Sequence, residues 1–206
     1  MANMKRIFLV TILSSIILAS TPSVFAQDYI PIFTKRYSSR LSLEIDPVTF
    51  LLKGYSLHAR YQPMFSERLL IGVGTYALDL PDAIVDFNKD NRDMGWEARI
   101  RSAYFLYGEF YPGTANHGWF IGEQIGFQSY KVSNETEVSG TTSFNSILLM
   151  TYAGYSWHPY KGSFYIKPWI GLGFTEKIDG INQVGGLKYE VGPLFPFFTF
   201  HAGYTF

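Results

Sequence analysis

From Arg40 onward the chain alternates apolar and polar side chains at every second position, the period of a strand with two unlike faces. "RLSLEID" sets Leu41, Leu43 and Ile45 against Ser42, Glu44 and Asp46. "YSLHARYQ" sets Tyr55, Leu57, Ala59 and Tyr61 against Ser56, His58, Arg60 and Gln62. "RLLIGVGTYAL" opposes Leu69, Ile71 and Val73 to Leu70, Gly72, Gly74 and Tyr76. In "WEARIRSAYFLYGEFY", Trp96, Ala98, Ile100, Tyr104, Leu106 and Phe110 share one row, and Glu97, Arg99, Arg101, Tyr107 and Glu109 the other. "GWFIGEQIGFQSYKV" follows the same rule, with Glu123 the exception on its apolar row. "TSFNSILLMTYAGYSWH" is apolar on both faces, and its register is read with Ile147, Leu149, Ala153, Tyr155 and Trp157 outward. "SFYIKPWIGLGFT" contains Pro168, which demands a bulge or a gap in the ladder. "FFTFHAGYTF" closes the series, with Phe198, Phe200, Ala202, Tyr204 and Phe206 against Thr199, His201, Gly203 and Thr205.

These eight runs predict an all-β chain, an eight-stranded antiparallel up-and-down barrel. The connections alternate in length. They are short after the second, fourth and sixth runs, long after the third, fifth and seventh, and intermediate after the first, as a transmembrane barrel requires. A soluble lipocalin-type barrel also alternates, but its apolar row points inward. The charged row decides between them. Glu44, Arg60, Glu97, Arg99, Arg101, Glu109, Lys167 and His201 cannot face lipid, so they are expected inside, paired across a narrow lumen. Glycines on that row, such as Gly72, Gly122 and Gly203, leave room for large side chains. Trp96, Trp119, Trp157 and Tyr204 are expected outside, near the membrane interfaces.

Composition adds the compartment. Lys5 and Arg6, the apolar run Ile7 to Ala19, and the small-residue end at Ala26 have the form of a cleaved secretory signal over residues 1–26. Residues 27–39 then form a periplasmic segment and residues 40–206 the barrel. No Cys is present, which excludes disulfides, thiolate metal sites and a lipid-modified amino terminus. Without Lys5 and Arg6, the 17 basic residues become 15 against 17 acidic ones, a charge near −2 that offers nothing to nucleic acid. Aromatics at 18% and 19 glycines, with no later apolar run near ~18 residues, suit strands and turns rather than spanning helices.

Phe206, preceded at alternate places by Tyr204, Ala202, Phe200 and Phe198, resembles the carboxy-terminal signature of bacterial outer-membrane β-barrels. The resemblance implies insertion by the barrel-assembly machinery, contact with outer-membrane lipid and lipopolysaccharide, and a monomer. Small eight-stranded members of that class include structural barrels of the OmpA and OmpX type and enzymes that modify lipid A.

Candidate chemistry is sparse, and no cofactor is expected. In "DFNKDNRDMGWE", Asp86, Asn88, Asp90 and Glu97 occupy the first, third, fifth and twelfth places of a calcium-loop pattern. Asn91 stands where that pattern has Gly, and no helix flanks the loop, so a solvated acidic loop competes with a metal site. The lipid A deacylase pair His-x-Ser is missing at every His. Asp79, Asp82 and Ser139 fall in outer loops as in palmitoyltransferase barrels, but no His joins them. The reading is therefore a non-catalytic barrel with a structural or loop-binding role. A lipid-modifying enzyme and a narrow pore are the alternatives.

Overall fold

Alternation alone permits an open sheet, but an open edge in hydrocarbon leaves backbone groups unpaired. The structure, a computed structural model, describes Ser38, residues 40–135 and residues 140–206; the leader and nearly all of the following segment lie outside these. It shows a closed ring of eight antiparallel strands: β1 (Arg40–Ile45), β2 (Tyr55–Gln62), β3 (Leu69–Asp79), β4 (Trp96–Phe110), β5 (Gly118–Asn134), β6 (Thr141–Ser156), β7 (Phe164–Gly180) and β10 (Leu194–Thr205). Each pairs with its chain neighbour, and β10 closes the ring on β1, with Glu44 opposite Gly203. Between β7 and β10 lies the small hairpin of β8 (Gln183–Val184) and β9 (Leu187–Lys188). Two short helices fill outer connections, α1 (Pro47–Leu51) and α2 (Asp82–Val85). At Pro168 the β6–β7 ladder stops after Gly154–Trp169 and resumes, in unchanged register, at the Trp157–Ile166 bridge.

The girdle is apolar on the outside. Leu57, Ile71, Val73, Leu106, Ile125, Ile170, Leu172 and Phe198 are exposed, as are Trp119, Trp157 and Tyr204 toward the end with the short turns. β6 has Leu148, Met150 and Tyr152 buried inside and Ala153, Tyr155 and Trp157 exposed, the register that the sequence left ambiguous. Glu123 is exposed on the girdle between Ile121 and Ile125, beside Gly108, which offers no side chain there.

A membrane crossing uses about 9–11 residues, yet β5 and β7 have 17 and β6 has 16. The strands therefore continue past the outer interface, and the environment of their faces reverses. Water lies outside the projecting part, so its interior becomes an ordinary apolar core of Trp96, Ala98, Ile100, Tyr130, Val132 and Phe144. Residues 131–134 and Thr141–Thr142 belong to strands β5 and β6, so both strands reach into the long connection that follows the fifth run.

This reversal corrects part of the predicted interior. Glu97 and Arg101 are exposed, Arg99 is half-buried, and Trp96, Ala98 and Ile100 are buried inside. The cause is a β-bulge at Arg101: Ile100 faces Tyr130 on β5, and the next pair is Ser102 with Ser129. One extra residue swaps the faces of β4. The polarity of the surroundings swaps at the same height, so the two reversals cancel in the sequence and the apolar row reads as continuous. Outside, Arg99 pairs with Asp79, its cross-strand neighbour, and Ser133 donates to Glu97 at 3.1 Å. A second bulge in β7, at Ile178, lies at the β6 contact from Asn145 to Ser146.

Because the chain has no native Cys, single cysteines report the two faces cleanly. A membrane-impermeant maleimide added to intact cells is expected to label Glu97→Cys and Arg101→Cys and to leave Ala98→Cys unmodified; the reverse pattern would restore the inward reading of β4.

Candidate functional site: the sealed lumen

Below the dome, the interior row carries ions that must be neutralised locally, because a charge taken out of water without a partner is very costly. Glu44 from β1, Arg60 from β2, Glu109 from β4 and Lys167 from β7 meet in the centre, each at most 2% exposed. Arg60 spans the group. One terminal nitrogen donates to Glu44, to Asn116 Oδ1 at 2.9 Å and to the Tyr165 hydroxyl at 2.9 Å. The other donates to Glu109 and to the Tyr111 hydroxyl at 2.8 Å. Lys167 Nζ bridges the same two carboxylates, at 3.0 Å to Glu44 and 2.8 Å to Glu109. The Tyr152 hydroxyl donates to Glu109 at 3.2 Å. Two cations and two carboxylates thus balance within one hydrogen-bonded plug.

His201 adjoins the plug. Trp169 Nε1 donates to His201 Nε2 at 3.2 Å, so that nitrogen carries no proton, and Nδ1 donates to Glu44 at 3.0 Å. Both His201 nitrogens are therefore engaged. Small residues make the packing possible: a Cβ on Gly203 would collide with the Tyr165 ring, and one on Gly72 with the Tyr107 ring. Of the predicted interior ions, the structure gathers Glu44, Arg60, Glu109, Lys167 and His201, and it places Glu97, Arg99 and Arg101 elsewhere. Asn116, Tyr111, Tyr152 and Tyr165 complete the plug. The sequence marked them only as turn or interior-row residues, because their roles depend on which strands lie across the lumen.

Among the described residues, one trio of His and carboxylate side chains brings its ligand atoms within 4.8 Å of one another: Glu44, His58 and His201. Its chemistry does not suit a metal. Both His201 nitrogens are occupied, Glu44 is shared by two cations, and Arg60 and Lys167 would repel a dication. Of the calcium-loop pattern, Asp86, Asp90 and Glu97 form no converging group among the described residues, and Asn88 Oδ1 accepts from the Asp90 amide at 3.1 Å. Asn88 Nδ2 donates to the Glu190 carbonyl at 3.1 Å, while Asn91 donates to that carbonyl and accepts from the Glu190 amide, both at 2.8 Å. The amides thus fasten the α2 loop to the segment leading into β10.

At the periplasmic end, His117 and His158 stack with ring centroids 4.1 Å apart. Partial burial lowers both pKa values below the ordinary imidazole range, with Arg40 adding to the effect at His117 and His117 at His158.

Two outcomes follow. Arg60→Leu strands a buried carboxylate and is expected to cost about 3–5 kcal/mol in urea unfolding from lipid vesicles; Arg60→Leu combined with Glu109→Leu, which leaves Glu44 and Lys167 matched, is expected to recover part of that loss. An unfolded chain protonates histidine near pH ~6.5, and the folded stack does so lower, so the unfolded state binds more protons in between and stability falls as pH drops through that window. His158→Gln is expected to flatten the decline of the urea midpoint between about pH 7.5 and 5; an unchanged slope would remove the stack from it.

No family model matches the chain, and no curated protein matches it. Among solved structures it is similar to a major outer membrane protein from Thermus thermophilus, at 12% identity and TM-score 0.50, covering 82% of this chain and 100% of that one. It also aligns with the N-terminal β-barrel domain of Pseudomonas aeruginosa OprF (10% identity, TM-score 0.41, covering 81% and 97%) and with Neisserial surface protein A (9%, 0.37, covering 81% and 94%). Closed eight-strand topology, an apolar girdle and an ion-filled interior together make this chain a small outer-membrane-type β-barrel.

Proposed function

We propose that the protein is a sealed, non-catalytic barrel of the bacterial outer membrane, with a structural role or a binding role carried by its outer loops. The observation that carries this reading is the plug. Arg60 is 0% exposed and Lys167 1%, and their ion pairs to Glu44 and Glu109 cross the lumen from β2 and β7 to β1 and β4. An ion entering from either side meets a balanced network with no charge left to receive it, and displacing a plug member costs its buried partners. Packed barrels of this width hold side chains rather than a channel.

The lack of a catalytic reading rests on geometry. A nucleophile needs a base within hydrogen-bond reach. Asp79 is committed to Arg99. Each imidazole nitrogen of His201 is committed to the plug or to Trp169. Ser139 lies outside the described residues. In this proposal Phe198, Phe200, Tyr204 and Phe206, all exposed on the outer face of β10 and the residue after it, present the signature to the assembly machinery. The girdle contacts outer-membrane lipid, the polar outer surface adjoins lipopolysaccharide, and the barrel acts as a monomer.

Planar-bilayer recording separates the sealed barrel from a pore: no steady current above that of the bare membrane is expected, and stable unitary steps would overturn the reading. Lipid A mass spectra from cells with and without the protein are expected to coincide, whereas an acyl-chain mass difference would establish the enzyme.

A further inference from the structure

Between the plug and the dome the interior changes from ionic to apolar, and a cavity with about 120 Å³ of free space lies there. Its walls are aromatic: Tyr76, Phe105, Tyr130, Tyr152, Trp169 and Phe195 all line it. Its outer boundary includes Ile84 and Val85 of α2 and Tyr189 beyond β9, elements held together by the Asn91 clasp on Glu190. Dry apolar cavities of about 150 Å³ hold a single benzene ring, so this space is matched to one small ring rather than to a lipid acyl chain.

Among the polar atoms of the lining, two stand out. His58 Nε2 and the Tyr107 hydroxyl are buried and have no hydrogen-bond partner, and both side chains line the cavity. His58 is only 5% exposed, packed edge-on or tilted against Phe105, Tyr107 and His201 with ring centroids 5.2, 6.2 and 4.4 Å away. A buried polar atom left without a partner is costly, and native structures rarely carry one without a reason. Beneath it the plug's two cations and two carboxylates cancel, and the Asp46 carboxylate at the rim is occupied by the Val48 amide and the Thr199 hydroxyl. Glu190, which also lines the cavity, is paired with Lys188, so each ionic group there already has its hydrogen-bond partners.

We infer that this cavity is a binding site for a small uncharged aromatic molecule carrying one hydrogen-bonding group, of the indole or phenol class, its ring between the aromatic walls and its polar atom on His58. Pockets that bind small molecules have this make-up, an apolar lining with a few convergent polar atoms. The site sits on the outer side of the plug, so a guest reaches it without crossing the membrane, and the inference is independent of whether the barrel conducts.

The test uses the full barrel in lipid nanodiscs and 5-fluoroindole, followed by fluorine NMR against empty nanodiscs to subtract partition into lipid. Saturable binding is expected, displaced by unlabelled indole and phenol and not by benzoate or benzylammonium. His58→Phe, which keeps the ring and removes the polar atom, is expected to weaken binding about fivefold to tenfold. Ile84→Trp, which narrows the outer end far from the plug, is expected to abolish it while anomalous migration of the unboiled barrel persists. No saturable signal above empty nanodiscs, equal displacement by the charged compounds, or unchanged affinity in both variants would each overturn the assignment.

Discussion

A bilayer offers no partner to a backbone amide and little solvation to an ion, and the rest of this structure follows from satisfying both demands with one sheet. Closure of β10 on β1 removes the last free edge. Once the ring is closed, the ions on the inner row of the strands must share a narrow interior. Arg60, Lys167, Glu44 and Glu109 therefore come together as a matched set instead of being spread along the wall. Glycines opposite Tyr107 and Tyr165 are needed for the same reason, since the interior has volume for either a ring or a Cβ at those heights, and not for both.

Past the outer interface the demand reverses. Water now bathes the outer face of β4 to β7, and the strands can be held together only by burying apolar groups within. The β4 bulge at Arg101 accomplishes the exchange, turning Ile100, Ala98 and Trp96 inward and Glu97 and Arg101 out. On β5 no bulge occurs, and the composition itself changes sides: Gln124 and Gln128 on the inner row give way to Tyr130 and Val132. Plug and dome are two solutions to burial in one barrel, ion pairing below and hydrophobic packing above. The apolar cavity lies where one passes into the other, which is also where Tyr107 and His58 are left without hydrogen-bond partners.

The legible part of the site is the part that obeys simple alternation within the membrane. Glu44, Arg60, Glu109, Lys167 and His201 stand on the polar row and are found inside. Glu97, Arg99 and Arg101 follow the same pattern in the sequence and are found outside, because a bulge depends on pairing with β3 and β5 and leaves no residue signature at Arg101. The acidic loop misled for a related reason. Asn88 has the spacing of a ligand and Asn91 stands at the pattern's glycine, but the amides of both are used on Glu190, about a hundred residues away in the chain.

By itself the sequence determined the strand periodicity, the order of short and long connections, and the row that could not face lipid. These are local properties, set by side chains two residues apart and by turn chemistry. Tertiary structure alone decided which ions pair, which imidazole stays without a partner, and where the strands leave the membrane. Arg60 meets Glu109 and Tyr165 across 49 and 105 residues of chain, and Glu44 meets His201 across 157. Contacts of that span exist only after the ring has closed, because closure is what brings opposite walls of the barrel within reach of one another.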